Sequence, residues 1–145
     1  MYFVDRAKIE SILRFLEENI MVYEGQEMWT SIIERHALER ISQIMIESVL
    51  DVGNSMIDGF IMRDPGSFDD IVDILEDEKV VTPEHAYSLK QIIRLRKMLV
   101  QDYTVIDHEQ LVTTLDNNLH SLRAFPTSIR SYLENELGPV SAFKQ

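Results

Sequence analysis

Five glycines and four prolines are the only strong helix breakers in 145 residues, and no sustained alternation of β-branched residues suggests a strand. What remains is long apolar-periodic stretches between clear start and stop signals. Asp5 can cap a first helix running to about Tyr23, with Ile9, Ile12, Leu13, Leu16 and Ile20 on one face. GQEMWT links it to a second helix from about Trp29 to Ile57, ended by DGFIMRDPGS. Ser67 with Asp70 three residues on forms a capping-box-like start for a short third helix, FDDIVDILEDE. Thr82 at the N-cap and Pro83 after it open a fourth, expected to run to about Tyr103. Asp107 with Gln110 opens a fifth, which Pro126 must kink or split before Gly138-Pro139 stops it. The fold class expected is all-α: one domain over 1–145, an up-and-down bundle of about five helices with the second and fourth central.

Composition narrows the functions open to such a bundle. A chain of this length can bury about 70% of its unfolded surface, and 45% hydrophobic with 27% charged residues is globular. With no cysteine, neither a disulfide framework nor a thiolate zinc site is possible. The start, MYFVDRAKIE, lacks the apolar region of a signal peptide, and no apolar run reaches a membrane-spanning length, so a cytoplasmic protein is expected. There is no nucleophile elbow, phosphate-binding glycine loop or zinc signature, hence no expected metal or cofactor.

A net charge of −11 opposes broad, nonspecific nucleic-acid binding, yet the charge is uneven. Residues 64–84 hold eight acidic side chains against Lys79, while residues 85–103 hold Lys90, Arg94, Arg96 and Lys97 against Asp102. The acidic stretch reads as a solvated face or as a surface for a basic partner. Lys90, Arg94 and Lys97 mark the best place for an anion, RNA included.

On a helical wheel of the fourth segment, Leu89, Ile92, Ile93, Leu99, Val100 and Tyr103 share one stripe, and Arg96 falls near its middle. A guanidinium keeps its proton, so unpaired burial is expensive. Arg96 must snorkel out, pair with a carboxylate inside the bundle, or be held at a dry interface to grip a phosphate. On the second helix, Ser48, Asp51 and Ser55 interrupt the apolar stripe of Ile33, Ala37, Ile41, Ile44, Met45 and Val52. That suggests a polar pocket or subunit interface in which Asp51 orients Arg96. The alternative is that Asp51 faces water.

Arg96, four residues, Gln101, one residue, Tyr103 resembles the Arg-x4-His-x-Tyr motif of the HepT-like HEPN family. ESVLDVGNSMIDG resembles the end of that family's second helix, where Asp51 and Asn54 would face the motif. RDPGSFDDIVDILEDEKVVTPE is similar to its loop, third helix and entry to the fourth, and LENELGPVSAFK to its YutE-like branch. The resemblance implies a homodimeric toxin, paired with a minimal nucleotidyltransferase antitoxin, that cleaves RNA without metal. The ribose 2′-hydroxyl would attack the adjacent phosphate, a histidine would shuttle the proton, and Arg96 would stabilise the growing charge. Tyr103 matches the tyrosine to which the partner can attach adenylyl groups.

Gln101 departs from the pattern, because an amide has no usable pKa near neutrality. Lys97 also stands where many members carry asparagine. In one regular helix, positions 96 and 101 do not share a face, so the helix must distort at its end or a second subunit must contribute. His108 could fold back as a substitute. His36, His85 and His120 have no metal-like spacing. These features imply a toxin-type protein with weak or lost nuclease activity. The alternatives are a non-enzymatic dimeric interaction module, or an active RNase that relies on Arg96.

Overall fold

The computed structural model describes residues 3–138, and Pro139 with the rest of the C-terminal stretch lies outside them. The described residues form six helices and no strand: α1 (Arg6–Gly25), α2 (Ile32–Gly59), α3 (Phe68–Asp77), α4 (Pro83–Ile93), α5 (Arg96–Val100) and α6 (His108–Leu137). The expected fourth helix is present but broken in two, as α4 and α5.

The local start signals act as their chemistry dictates. Asp5, Ser67, Thr82 and Asp107 each accept a hydrogen bond from the backbone N–H three residues on. The second helix starts later than expected. Ser31 and Glu34 form a full capping box there, while Trp29 stacks on Tyr23 with ring centroids 5.8 Å apart. Ile33 and Ala37, expected on the apolar stripe, are consequently exposed on the first turns, and burial begins at Leu38.

The helix α2 lies at the centre, packed by α1, α3, α5 and α6, while α4 sits between α3 and α6. Contact between α2 and α3 is close at Gly53, where an added Cβ would meet the Cγ2 methyl of Ile71 at 2.5 Å. That methyl moves only if Ile71 leaves its χ1 rotamer, which its buried, β-branched side chain resists, so either Ile71 or α3 itself must shift. Gly53→Ala is therefore expected to destabilise by about 1–2 kcal/mol, overpacking outweighing the gain in helix propensity. The check is a melting temperature lower by roughly 2–8 °C.

Pro126 neither ends nor splits α6, which continues unbroken to Leu137. Leu122, Phe125, Ile129 and Leu133 around it are buried against the bundle, and this packing outweighs the local loss of one N–H donor. The same helix is tied to α1 by Arg130, which donates four hydrogen bonds of 2.8–2.9 Å to Glu10 and Glu17. Those bonds are the main reason both carboxyls are held below their ordinary value of 4.5, against partial burial that raises them.

A depressed folded pKa contributes stability above the unfolded value, and that stability is lost as pH falls through the folded one. Arg130→Ala should thus cost about 1–2 kcal/mol at neutral pH, a figure discounted for the part-exposed pair. The difference from the natural chain should shrink below about pH 4. Urea unfolding at several pH values measures it, and a constant difference across that range would assign the cost to packing alone.

Candidate functional site

Arg94 and Leu95 interrupt the fourth helix with backbone angles near φ −64°, ψ −19°, tighter than the α-helical average. The Leu95 N–H bonds Ile92 O, three residues back, at 3.0 Å, the pattern of a 3₁₀ turn. Because such a turn advances each residue further around the axis, everything downstream rotates relative to an unbroken helix. Leu95 and Leu99 become the buried residues of this segment. Val100 and Tyr103, expected on the apolar stripe, turn outward, and Tyr103 is 68% exposed.

Arg96 moves with them to the margin of the core, its side chain 26% exposed. Its Nε donates to Glu47 Oε1 of α2 at 2.7 Å, and its guanidinium carbon lies 4.5 Å from the centroid of the Phe68 ring, a cation–π distance. Both terminal nitrogens lack a hydrogen-bond partner among the described residues. One flank of the fork is anchored, and the other keeps the donors that bind a phosphate in bidentate fashion.

The expected partner of Arg96 was Asp51, and here the structure corrects the sequence reading. Glu47, one turn earlier, receives the hydrogen bond because it is the carboxylate whose level on α2 meets α5. Asp51 is exposed at the edge of a groove between α1 and α2. Its carboxyl is raised by desolvation in that groove and then by the charge of Glu47, with Lys8 and Arg96 pulling the other way. Ser48 is buried and donates to Ile44 O at 2.7 Å, satisfied within its own helix. Asn54 is exposed.

Beside Arg96 opens a groove of about 600 Å³, lined by Ser67, Phe68, Asp69, Arg94, Arg96, Lys97 and Gln101 among others. Positions 96 and 101 both line this groove within a single chain, although the break precedes both and the backbone between them stays helical. Lys97 is 73% exposed, with Asp102 at 3.8 Å. The other two expected anion ligands are engaged by the acidic third helix. Lys90 meets Asp73 at 2.7 Å and Arg94 meets Asp69 at 2.9 Å, while Arg63 bridges Asp70 and Asp77. Arg63 and Gly66 N–H hold the Asp70 carboxyl down at about 2. The acidity of α3 is largely matched inside the chain, so its carboxylates clamp α3 to α4 and to the loop before it.

The family model of ribonuclease HepT-like proteins matches residues 8–129. The chain belongs to the HepT-like HEPN family. A Bacillus subtilis (strain 168) protein with the provisional name RNase YutE is 55% identical over 144 residues, 99% of this chain and all of its own length. The solved structure of YutE, described as a cytosolic protein of unknown function, superposes with a TM-score of 0.95 over 99% of this chain and 100% of that one. More distant folds include a MntA–HpeT toxin–antitoxin complex, at TM-score 0.74 and 19% identity over 85% of this chain and 98% of that one. A tri-AMPylated Shewanella oneidensis HEPN toxin in complex with MNT antitoxin has TM-score 0.70 at 21% identity, over 86% of this chain and 95% of that one. At such identity these share the fold.

Within this HepT-like chain no histidine lines the groove. His108 starts α6 and meets Glu39 Oε2 at 2.6 Å through Nε2; His36 lies 3.8 Å from the other oxygen of that carboxylate. His85 faces His120 across a ring distance of 5.8 Å. Glu47 and Phe68 were missed in sequence. Glu47 carried a signal, standing one helical turn before Asp51 on the same face. Phe68 carried another, as the one aromatic ring directly after the Ser67 cap.

Proposed function

We propose that this HepT-like protein is the toxin-type member of a two-protein system, acting in the cytoplasm as a homodimer with a minimal nucleotidyltransferase as partner. Its groove grips RNA phosphate through Arg96, and its nuclease is weak or lost. One observation carries this reading: Arg96 and Gln101 line a common groove whose lining contains no side chain that ordinarily titrates near neutrality. Arg96 is prepared for the charge of the transition state, since Glu47 fixes its Nε and leaves the terminal nitrogens available. The proton of the attacking 2′-hydroxyl has no comparable acceptor at Gln101.

Several features support the partner. The fold is shared with toxins solved as complexes with antitoxins, and Tyr103 stands far enough into solvent for its phenol oxygen to be adenylylated. A reading as a plain interaction module through an acidic α3 is weakened by the pairing of Asp69, Asp70 and Asp73 with cations of the same chain.

The test is cleavage of RNA by the purified chain in chelator. The expected result is a rate near background for both the natural sequence and Arg96→Ala, with RNA binding weakened in Arg96→Ala. Cleavage by the natural chain that disappears in Arg96→Ala would instead establish an arginine-led nuclease.

A further inference from the structure

Resting on the reading of the Arg96 groove as an RNA site, we propose that Phe68 is its base-stacking platform. An unpaired nucleobase of single-stranded RNA lies on the open side of the ring, while Arg96 takes a neighbouring phosphate. Phe68 is the first residue of α3 and is 48% exposed, so part of its ring is open to solvent. The guanidinium of Arg96 covers one side of it at 4.5 Å. The exposed remainder of the ring belongs to the groove that also holds Lys97 and Gln101.

The backbone that carries the ring is held in place, and Arg96 packs against the ring itself. The Ser67 hydroxyl oxygen caps α3 through Asp70 N–H at 3.1 Å, and Asp69 and Asp73 pin the helix to Arg94 and Lys90 of α4. A stacking platform needs a fixed base, because ordering a mobile segment costs part of the stacking energy.

Charge and shape select the ligand. The lining carries Arg94, Arg96 and Lys97, balanced by Asp69, Glu47 and Asp102 beside them, so on a chain of net charge −11 a polyanion is repelled less here than elsewhere and meets the free terminal nitrogens of Arg96. An acidic peptide would use the cations but has no flat partner for the ring. A duplex keeps its base faces stacked inside. Cations beside an accessible aromatic ring are the combination that binds single strands, with backbone and base recognised separately. The Gln101 amide, which both donates and accepts hydrogen bonds, lies within the same groove to meet a base edge.

The proposal separates base from phosphate, and so does its test. A fluorescently labelled short oligoadenylate RNA and the same sugar–phosphate strand without bases are titrated with the full-length natural chain, Phe68→Leu, Phe68→Trp and Arg96→Ala. Phe68→Leu should weaken binding of the oligoadenylate about tenfold and leave the abasic strand unaffected. Phe68→Trp should bind both at least as well as the natural chain, with quenched indole fluorescence on the oligoadenylate only. Arg96→Ala should weaken both strands by the same factor.

If Phe68→Leu binds the oligoadenylate like the natural chain, the stacking role is wrong. It is equally wrong if Phe68→Leu weakens both strands alike, since the ring would then act only by supporting Arg96. In either case, loss of both strands in Arg96→Ala leaves the phosphate reading standing. A natural chain that binds neither strand removes both. Circular-dichroism melting of each variant verifies that differences do not come from unfolding.

Discussion

Replacing Gln101 with histidine is expected to raise metal-free RNA cleavage by about 10²–10⁴-fold, the usual contribution of a positioned acid–base group. Gln101 follows the last residue of α5, where its backbone N–H still bonds Lys97 O at 2.8 Å. The side chain is exposed and lines the groove with Arg96. Imidazole has nearly the length of the glutamine side chain, so the exchange needs no movement of the backbone. With an ordinary pKa of about 6.5, the new group can take the 2′-hydroxyl proton and return one to the leaving oxygen.

The gain should therefore be largest near neutrality and fall on both sides, and it should vanish in Gln101→His/Arg96→Ala. Initial rates on a labelled single-stranded RNA across pH, in chelator, measure it. A Gln101→His chain that binds RNA as before yet cuts no faster would mean that position 101 lies out of reach of the reacting oxygens.

Phe125→Ala is expected to remove about 3–5 kcal/mol of folding stability. Phe125 is among the largest fully buried side chains, at 1% exposure, and it sits on α6, which packs against α1, α2 and α4. Truncation removes the ring's burial and leaves a cavity that four separate helices cannot all close by small shifts. Total stability of a domain is commonly about 5–15 kcal/mol, so the variant approaches the limit of remaining folded at physiological temperature. Its melting temperature should fall by roughly 6–20 °C. Phe125 does not line the groove, so RNA affinity measured well below the melt should be unchanged. A loss under about 1 kcal/mol would mean that the helices re-close around alanine far more easily than close packing allows.

The HepT-like family was legible because its motif residues are spaced along one segment, and Arg96, Gln101 and Tyr103 were named from that spacing. What the motif could not supply was their surroundings. A helical wheel built on a constant angle per residue put Arg96, Val100 and Tyr103 in the core. The 3₁₀ step at Arg94–Leu95 invalidates that constant angle, and Leu95, assigned no role by the wheel, is buried instead. Asp51 was a reasonable partner for Arg96 by residue type, but a choice between Glu47 and Asp51 is a matter of one helical turn. The lengths of two helices do not reveal how they slide past one another. Two members of the basic cluster, Lys90 and Arg94, are occupied by carboxylates that sequence had assigned to a separate acidic face.

By itself, the sequence determined that the chain is helical, the caps at Asp5, Ser67, Thr82 and Asp107, the central place of α2 and the family, because those features depend on interactions within about four residues or on a spaced pattern of side chains. The tertiary structure alone decided which carboxylate holds Arg96, where the fourth helix breaks, that Pro126 is carried through α6, and that Phe68 stands over the arginine. Each of those outcomes depends on contacts between segments far apart in the chain. There, burial of Leu95 and Leu99 and the packing around Pro126 outweigh the local preference of the backbone.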